Sequence, residues 1–445
     1  MSAPVAPGRW PVIGHTPSMA RQRNIFTRGL REHGDVVQVY LGPMHTYFIA
    51  SPELTHQVLV TQGPKFRKGA LFDKIKPFLG NGLANSNGSF HLRQRRLLQP
   101  AFHRERIAEY TRTMTQAATE LVQRWQPDSV QSIADEMQRL AATVVSRALF
   151  STRISPENID ALRQDSFVLL QQTMVRALAP GFVEKLPLPV NRTFESALGR
   201  MRSLIMGFIH DWREAGVDRG DQLSLMLLAE DEETGERMSD QQVYDEVVTM
   251  LTGGMETTAL ALSWLFYELS RNPEIERRLH AEVDEVLGGR EITAEDIPRL
   301  TYTAQVVNET LRRYPIWFLM RRALQDVELG PVTIPEGAEV IFSPDAMHHN
   351  PDVYPDPERF DPDRWAPERA KSVPKGAFIP FGGGTRQCIG YQFAEHEIVI
   401  TVATVAARYR LVDTADKPIK PVYTTAPYPG ELPMRIVPRT AKETS

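Results

Sequence analysis

Residues 381–390 read Phe381-Gly382-Gly383-Gly384-Thr385-Arg386-Gln387-Cys388-Ile389-Gly390. The glycines let a backbone turn tightly and approach a ligand, and they flank the sole cysteine of a 445-residue chain. A helix is predicted to follow, over about 390–408, so Cys388 falls where a loop meets a helix start. A helix N-terminus carries partial positive charge, which predicts a thiol held toward thiolate. Without such a role, a lone cysteine is a small buried hydrophobe.

Outward from this loop the text changes character. Ten of the chain's 33 prolines fall within 331–380, which predicts an irregular path with one strand over 338–342 and no helix. From about 104 to 309, apolar residues recur at three and four spacing, with breaks near Pro156, Pro180 to Pro189 and Pro273. That is a long helical body. A helix is predicted over 19–33, stopped by Gly34, and two β-branched runs, 36–41 and 46–50, flank Gly42-Pro43 as a hairpin. The expected class is mainly α with a smaller β-rich portion, at about 35–60, 315–345 and the tail, in one domain.

Apolar residues make up 42% and charged residues 24%, too apolar for a disordered chain. Lys plus Arg number 51 against 55 Asp plus Glu, a net charge of −4, which argues against a nucleic-acid partner. One cysteine cannot form an intramolecular disulfide. No apolar run reaches the roughly 18 residues of a membrane span and the first fifteen residues lack a signal-peptide core, so a cytoplasmic protein without a membrane anchor is expected.

The spacing Phe-x-x-Gly-x-Arg-x-Cys-x-Gly, at Phe381, Gly384, Arg386, Cys388 and Gly390, resembles the haem-binding loop of cytochrome P-450 enzymes. The resemblance implies haem b as cofactor with the Cys388 sulfur on its iron. It also implies that family's triangular-prism fold, with haem between a long central helix and the helix after the Cys loop. Gly382 belongs to the same loop. Matching segments extend over essentially the whole chain.

One such segment is Thr252-Gly253-Gly254-Met255-Glu256-Thr257-Thr258, in a helix predicted over 245–271. Two interior glycines cost about 1 kcal/mol each, so the residues alone predict an interruption there. By resemblance Gly253 and Gly254 make room for oxygen over the haem, and Glu256 and Thr257 organise protons as the catalytic pair. Glu309 and Arg312 share a helix face at i, i+3 spacing. The family completes that pair with an arginine from the proline-rich stretch; Arg364, in Phe360-Asp361-Pro362-Asp363-Arg364-Trp365, is chosen over Arg359 as third member of a structural triad. His91 and Arg95, four apart on a helix, resemble the pair that reaches a haem propionate. Arg321, with Arg322 as its alternative, and Arg386 complete that set.

Pocket candidates are Phe72, Phe78, Leu251, Met255, Trp317, Phe318, Leu319, Thr425 and Ala426, mainly apolar and therefore suited to a hydrophobic substrate. The resemblance implies a monooxygenase using O2 and two electrons from a separate ferredoxin and ferredoxin reductase, since the sequence carries no reductase segment. A monomer is expected. Overall texture is nearest to actinobacterial members that oxidise terpenes. Arg93, Arg96 and Arg104 are expected on a basic docking face for the electron donor. A haem-based ligand sensor and a peroxide-driven fatty-acid oxygenase remain as alternatives, and the Glu256-Thr257 pair speaks against both. Other signatures fail: His396-Glu397 is followed by Ile400 where a zinc helix needs histidine, and there is no nucleophile elbow or phosphate-binding glycine loop.

Overall fold

Two periodicities organise the chain, and each builds its own region. The computed structural model describes residues 2–439 apart from 22, 152–153, 179–182, 184–185, 317 and 424–425. Alternating residues build a five-stranded sheet from β1 (Val36–Leu41), β2 (Met44–Ile49), β3 (Phe66–Lys68), β4 (Leu319–Ala323) and β5 (Glu339–Phe342), in the order β1-β2-β5-β4-β3. β2 and β5 run parallel, with Phe48 opposite Ile341, and the other pairs are antiparallel. Because successive side chains face opposite ways, Val36, Tyr47, Ile49, Val340 and Phe342 join one apolar cluster while Val37, Val39, Phe48, Met320 and Ile341 join another.

The helical body comprises α1 (Ala70–Leu79), α2 (Gly88–Leu98), α3 (Arg104–Arg124), α4 (Ile133–Phe150), α5 (Pro156–Leu178), α6 (Pro189–Ala215), α7 (Asp240–Arg271), α8 (Thr301–Arg313) and α9 (Tyr391–Ala406), with a further helix over Pro273–Leu287 and shorter helices and turns between them. α7 starts where the Ser239 side chain accepts from the Gln242 N–H, an N-cap that satisfies one of the helix's free donors. Its first half, from Val243 to Met255, packs in one apolar core with α4 and α6. Its second half, from Ala259 to Leu269, packs in another with α3, α4 and α9. The three residues between, Glu256, Thr257 and Thr258, belong to neither. Among the described residues no helix is long and apolar enough to cross a membrane.

Three expectations are corrected. α7 begins at Asp240 and runs through Gly253-Gly254 without a break. Burial along both halves, at about 1.5–3 kcal/mol per large apolar side chain, outweighs the roughly 2 kcal/mol the glycines cost. The proline-rich stretch does contain short helices, Pro344–His348 and Pro367–Ala370, and the 3-10 turn Pro362–Trp365. Each opens on proline, whose missing N–H is free of cost at a first helical position. It also holds a second strand, Val332–Ile334, paired with Val327–Leu329. Near the start, helical structure begins at Thr16 and tightens into a 3-10 turn at Leu30–His33 before Gly34.

Candidate functional site

The glycine loop folds back on itself: Cys388 N donates to Phe381 O at 2.9 Å, Gly382 N to Ile379 O at 3.1 Å and Gln387 N to Gly384 O at 3.1 Å. Gly384 has φ +63°, and a Cβ there would overlap the Leu59 carbonyl, so the position needs glycine both for conformation and for space. A Cβ at Gly390 would lie 3.4 Å from the Phe102 ring. The Phe381 ring sits 6.1 Å from that of Tyr391.

α2 is laced to this loop in both directions. His91 Nε2 lies 3.2 Å from Thr385 O, and Arg95 Nη1 donates to Gln387 O at 2.8 Å. In return Arg386 donates to Ser86 O at 2.6 Å and to Asn87 Oδ1 at 3.2 Å. Asn87 occupies the N-cap position of α2, yet its side chain makes no cap and accepts instead from Lys68 N at 2.9 Å.

Cations crowd here, without acids among the described residues. Burial, and then Arg386, push His91 down to about 4; the same two causes lower Arg321 to about 10. Burial and Arg95 bring Arg386 to about 10. Lys68, its Nζ 4.1 Å above the Phe72 ring, is held well below the usual lysine range by burial, Arg321 and Arg386. No carboxylate among the described residues pairs with Lys68, Arg321 or Arg386. Buried charges left in that state are costly, and a bound dianion is what would relieve them. Arg322 is different: it pairs with Glu339, and with Asp73 at 3.1 Å, because neighbours on β4 face opposite sides of the sheet. Lys68 was not among the expected residues, for it lies in a three-residue strand with no motif.

The expectation of a lowered Cys388 thiol is reversed. Burial raises it, and the Gly390 N–H and Arg95 only partly oppose this. Cys388 nevertheless keeps exposed surface. Open surface combined with desolvation describes the wall of a cleft rather than a convex exterior.

The middle of α7 shows the same combination. Gly253 and Thr257 are exposed in a helix otherwise buried to either side, while burial pushes the half-buried Glu256 up to about 7. Thr257 Oγ1 donates to Gly253 O at 2.6 Å. The glycine pair divides its work. A Cβ at Gly253 would meet nothing within 4 Å, whereas one at Gly254 would stand 3.0 Å from Val145 Cγ2 on α4. Gly253 therefore borders open space and Gly254 permits helix packing. Ile389, beside Cys388, packs against the apolar cluster that contains Leu251 and Met255, which brings the glycine loop and α7 onto one cluster.

Of the other pocket candidates, Phe72, Phe318 and Leu319 are half-buried and Ala426 is buried. Phe78 and Leu251, at 2% and 0% exposure, are core side chains with no open face, and Met255 joins them in that core. Trp317 and Thr425 lie outside the described residues. Arg93 and Arg96 do not form a free basic face. Arg93 pairs with Asp231 and Glu236 at 3.3 Å each, and Arg96 with Glu233 at 3.1 Å and Asp231 at 3.5 Å, all on an acidic hairpin before α7.

Glu309, fully buried on α8, accepts from Arg312 through both oxygens at 2.9 Å, and also from Asp361 N at 2.9 Å and Trp365 Nε1 at 3.0 Å. Arg364 Nε makes an ionic contact with it at 3.4 Å. Arg359 contributes only its carbonyl, to Arg312. So many donors on one carboxylate are what keep a buried ion pair in place.

The chain as a whole is similar to known proteins. A family model described as Cytochrome P450 matches residues 4–434. The chain is 44% identical to the cyclooctat-9-en-7-ol 5-monooxygenase of Streptomyces melanosporofaciens, over 98% of this chain and 95% of that protein. It is 35% identical to the pentalenene oxygenase of Streptomyces avermitilis, over 98% of each. The crystal structure of the cytochrome P450DA heme domain superimposes with a TM-score of 0.89 at 28% identity, covering 99% of this chain and 98% of that one. With a matching fold and a family pattern running almost end to end, the chain belongs to the cytochrome P450 family.

Proposed function

We propose that the cleft holds haem b and inserts one oxygen atom of O2 into a C–H bond of a hydrophobic, terpene-like small molecule. The other atom leaves as water, with two protons and with two electrons from a separate ferredoxin and its reductase. One observation carries this reading: a single loop sulfur, Cys388, lies beside a desolvated set of cations that has no acid partner among the described residues. Lys68, His91, Arg95, Arg321 and Arg386 fit the two carboxylates of a haem, and Cys388 fits its iron. When bound, haem supplies oxygen binding and the electron transfer that splits it.

The side chains manage protons and water. A carboxyl raised to about 7, as at Glu256, both releases and regains a proton near neutral pH. Thr257 stands next to it, its hydroxyl resting on Gly253 O and facing the space that Gly253 leaves open. Phe72, Phe318 and Leu319 offer apolar surface that orients a hydrocarbon and keeps water out. Relatives named as a cyclooctat-9-en-7-ol monooxygenase and a pentalenene oxygenase support the terpene-like substrate. Glu309, Arg312 and Arg364 hold the segment before the glycine loop and take no part in the chemistry. With Arg93 and Arg96 neutralised, Arg104 is the arginine left for an acidic electron donor. It borders a groove of about 440 Å³ lined also by Phe102, His103, Glu105 and Gln392.

The test is the absorption spectrum of the reduced protein under carbon monoxide. A thiolate-type band that disappears in Cys388→Ala is expected; a protein without porphyrin, or a band unchanged by the substitution, overturns the reading. Product formation with a surrogate ferredoxin system then separates a catalyst from a sensor.

A further inference from the structure

Two carboxylates draw the loop between α1 and α2 onto α7. Asp245 Oδ2 accepts from Asn81 N, and Glu246 Oε2 accepts from Leu83 N, each at 2.7 Å. Gln241 and Gln242, one turn back, donate to the second oxygens of the two acids at 2.7 Å. The approach is close: a Cβ at Gly80 would overlap the Asp245 carboxylate, and one at Gly82 would overlap the Thr249 hydroxyl and the Asp245 carbonyl. Glu246 has no exposed surface, so these donors alone replace its hydration.

The grip continues into the cleft. The Leu83 carbonyl lies 3.2 Å from His91 Nδ1, and Ser86 Oγ lies 3.2 Å from the same nitrogen. Ser86 O and Asn87 Oδ1 hold the Arg386 guanidinium. A carboxylate on α7 is thus linked to His91 through the single residue Leu83.

We propose that Glu246 is a positioning residue for the cleft: by holding Leu83 it sets His91, Ser86 and the Arg386 guanidinium at a fixed distance from the open middle of α7. The consequence for a ligand rests on the reading of the cleft given above; the clasp itself does not. Loss of the clasp lifts loop 80–87, so ligand affinity falls while the chemistry on a bound ligand persists, and KM rises with little change in kcat.

Glu246→Ala, Glu246→Gln and Gly82→Ala, each as purified holoprotein, test this through amide hydrogen exchange of residues 81–86 and the dissociation constant of phenylimidazole. Glu246→Ala and Gly82→Ala are expected to speed exchange and weaken phenylimidazole binding by roughly tenfold to a hundredfold, the equivalent of one lost charge-assisted hydrogen bond. Glu246→Gln, whose amide oxygen still accepts from Leu83 N, is expected to stay within about threefold of wild type. Should Glu246→Ala fail to fold, Gly82→Ala carries the same expectation. Unchanged exchange at 81–86, unchanged phenylimidazole binding, or a Glu246→Gln protein as impaired as Gly82→Ala overturns the proposal. Both readouts are independent of turnover, so a variant set that behaves as expected on a protein that makes no product defeats the monooxygenase reading and leaves the clasp intact.

Discussion

Glu246 and Glu256 lie under three turns apart on one helix, and burial pushes both up to about 7. Their surroundings are opposite. Glu246 receives Leu83 N and Gln242, which lower it against the desolvation, whereas desolvation is the sole cause acting on Glu256. One carboxyl is closed into a joint between elements; the other is left unanswered beside Gly253 and Thr257, where the helix surface is open. A desolvated acid without a partner suits the proton-holding role proposed for Glu256, and a paired one suits fixing a backbone. The contrast sets a structural acid and the proposed proton-handling acid side by side in a single element.

The strongest way to break this contrast is Thr257→Ala. Its hydroxyl is exposed and bonded only to a helix carbonyl, so folding and haem content should be unchanged while product per electron consumed falls by about tenfold and hydrogen peroxide rises. That is below the roughly hundredfold of a lone general acid, because Glu256 remains. Unchanged coupling, measured as product and peroxide against electrons delivered, removes the proton-handling role from this half of the helix.

Next comes Glu256→Gln, read by thermal unfolding at two pH values. The folded protein keeps the Glu256 proton up to about 7, the unfolded chain only to about 4.5, so between these the folded state binds more protons and stability falls as pH rises. Above 7 the penalty is complete, at most about 3 kcal/mol. Glu256→Gln should therefore stabilise the protein near about pH 8 and do nothing near about pH 4. Equal effects at both values would mean that Glu256 is not an unanswered acid.

The smallest effects sharpen the boundary at the two glycines. Gly253→Ala meets open space and should stabilise the helix by up to about 1 kcal/mol. Gly254→Ala should lose that gain to crowding against Val145, about 1 kcal/mol or more, for a net change near zero or unfavourable. Denaturant unfolding of the pair checks the difference, and identical values would show that both face the same environment.

Much of the site was readable where residues close in sequence do the work together. The glycine loop around Cys388, the one-turn pair Glu309 and Arg312, and the four-residue step from His91 to Arg95 are local patterns, and Arg364 announced itself through the Phe-x-Pro phrase before it. Where two neighbours competed, Arg321 was preferred and Arg322 kept as its alternative; in the structure Glu339 and Asp73 claim Arg322 because a strand shows alternate faces. Lys68 and the clasp at Glu246 carried no signal, since their partners are far away in sequence and their own surroundings are ordinary. The basic face expected from Arg93 and Arg96 vanished for the same reason: the acids that neutralise them arrive from residues 231–236.

What the chain alone determined is the family, the glycine loop around its one cysteine and much of the succession of helices and strands, because periodicity and short motifs are properties of neighbours along the backbone. Tertiary structure decided which charges stand unpaired, which glycine opens space and which acid is closed off. Those outcomes depend on desolvation and on contacts between distant segments, and folding creates both.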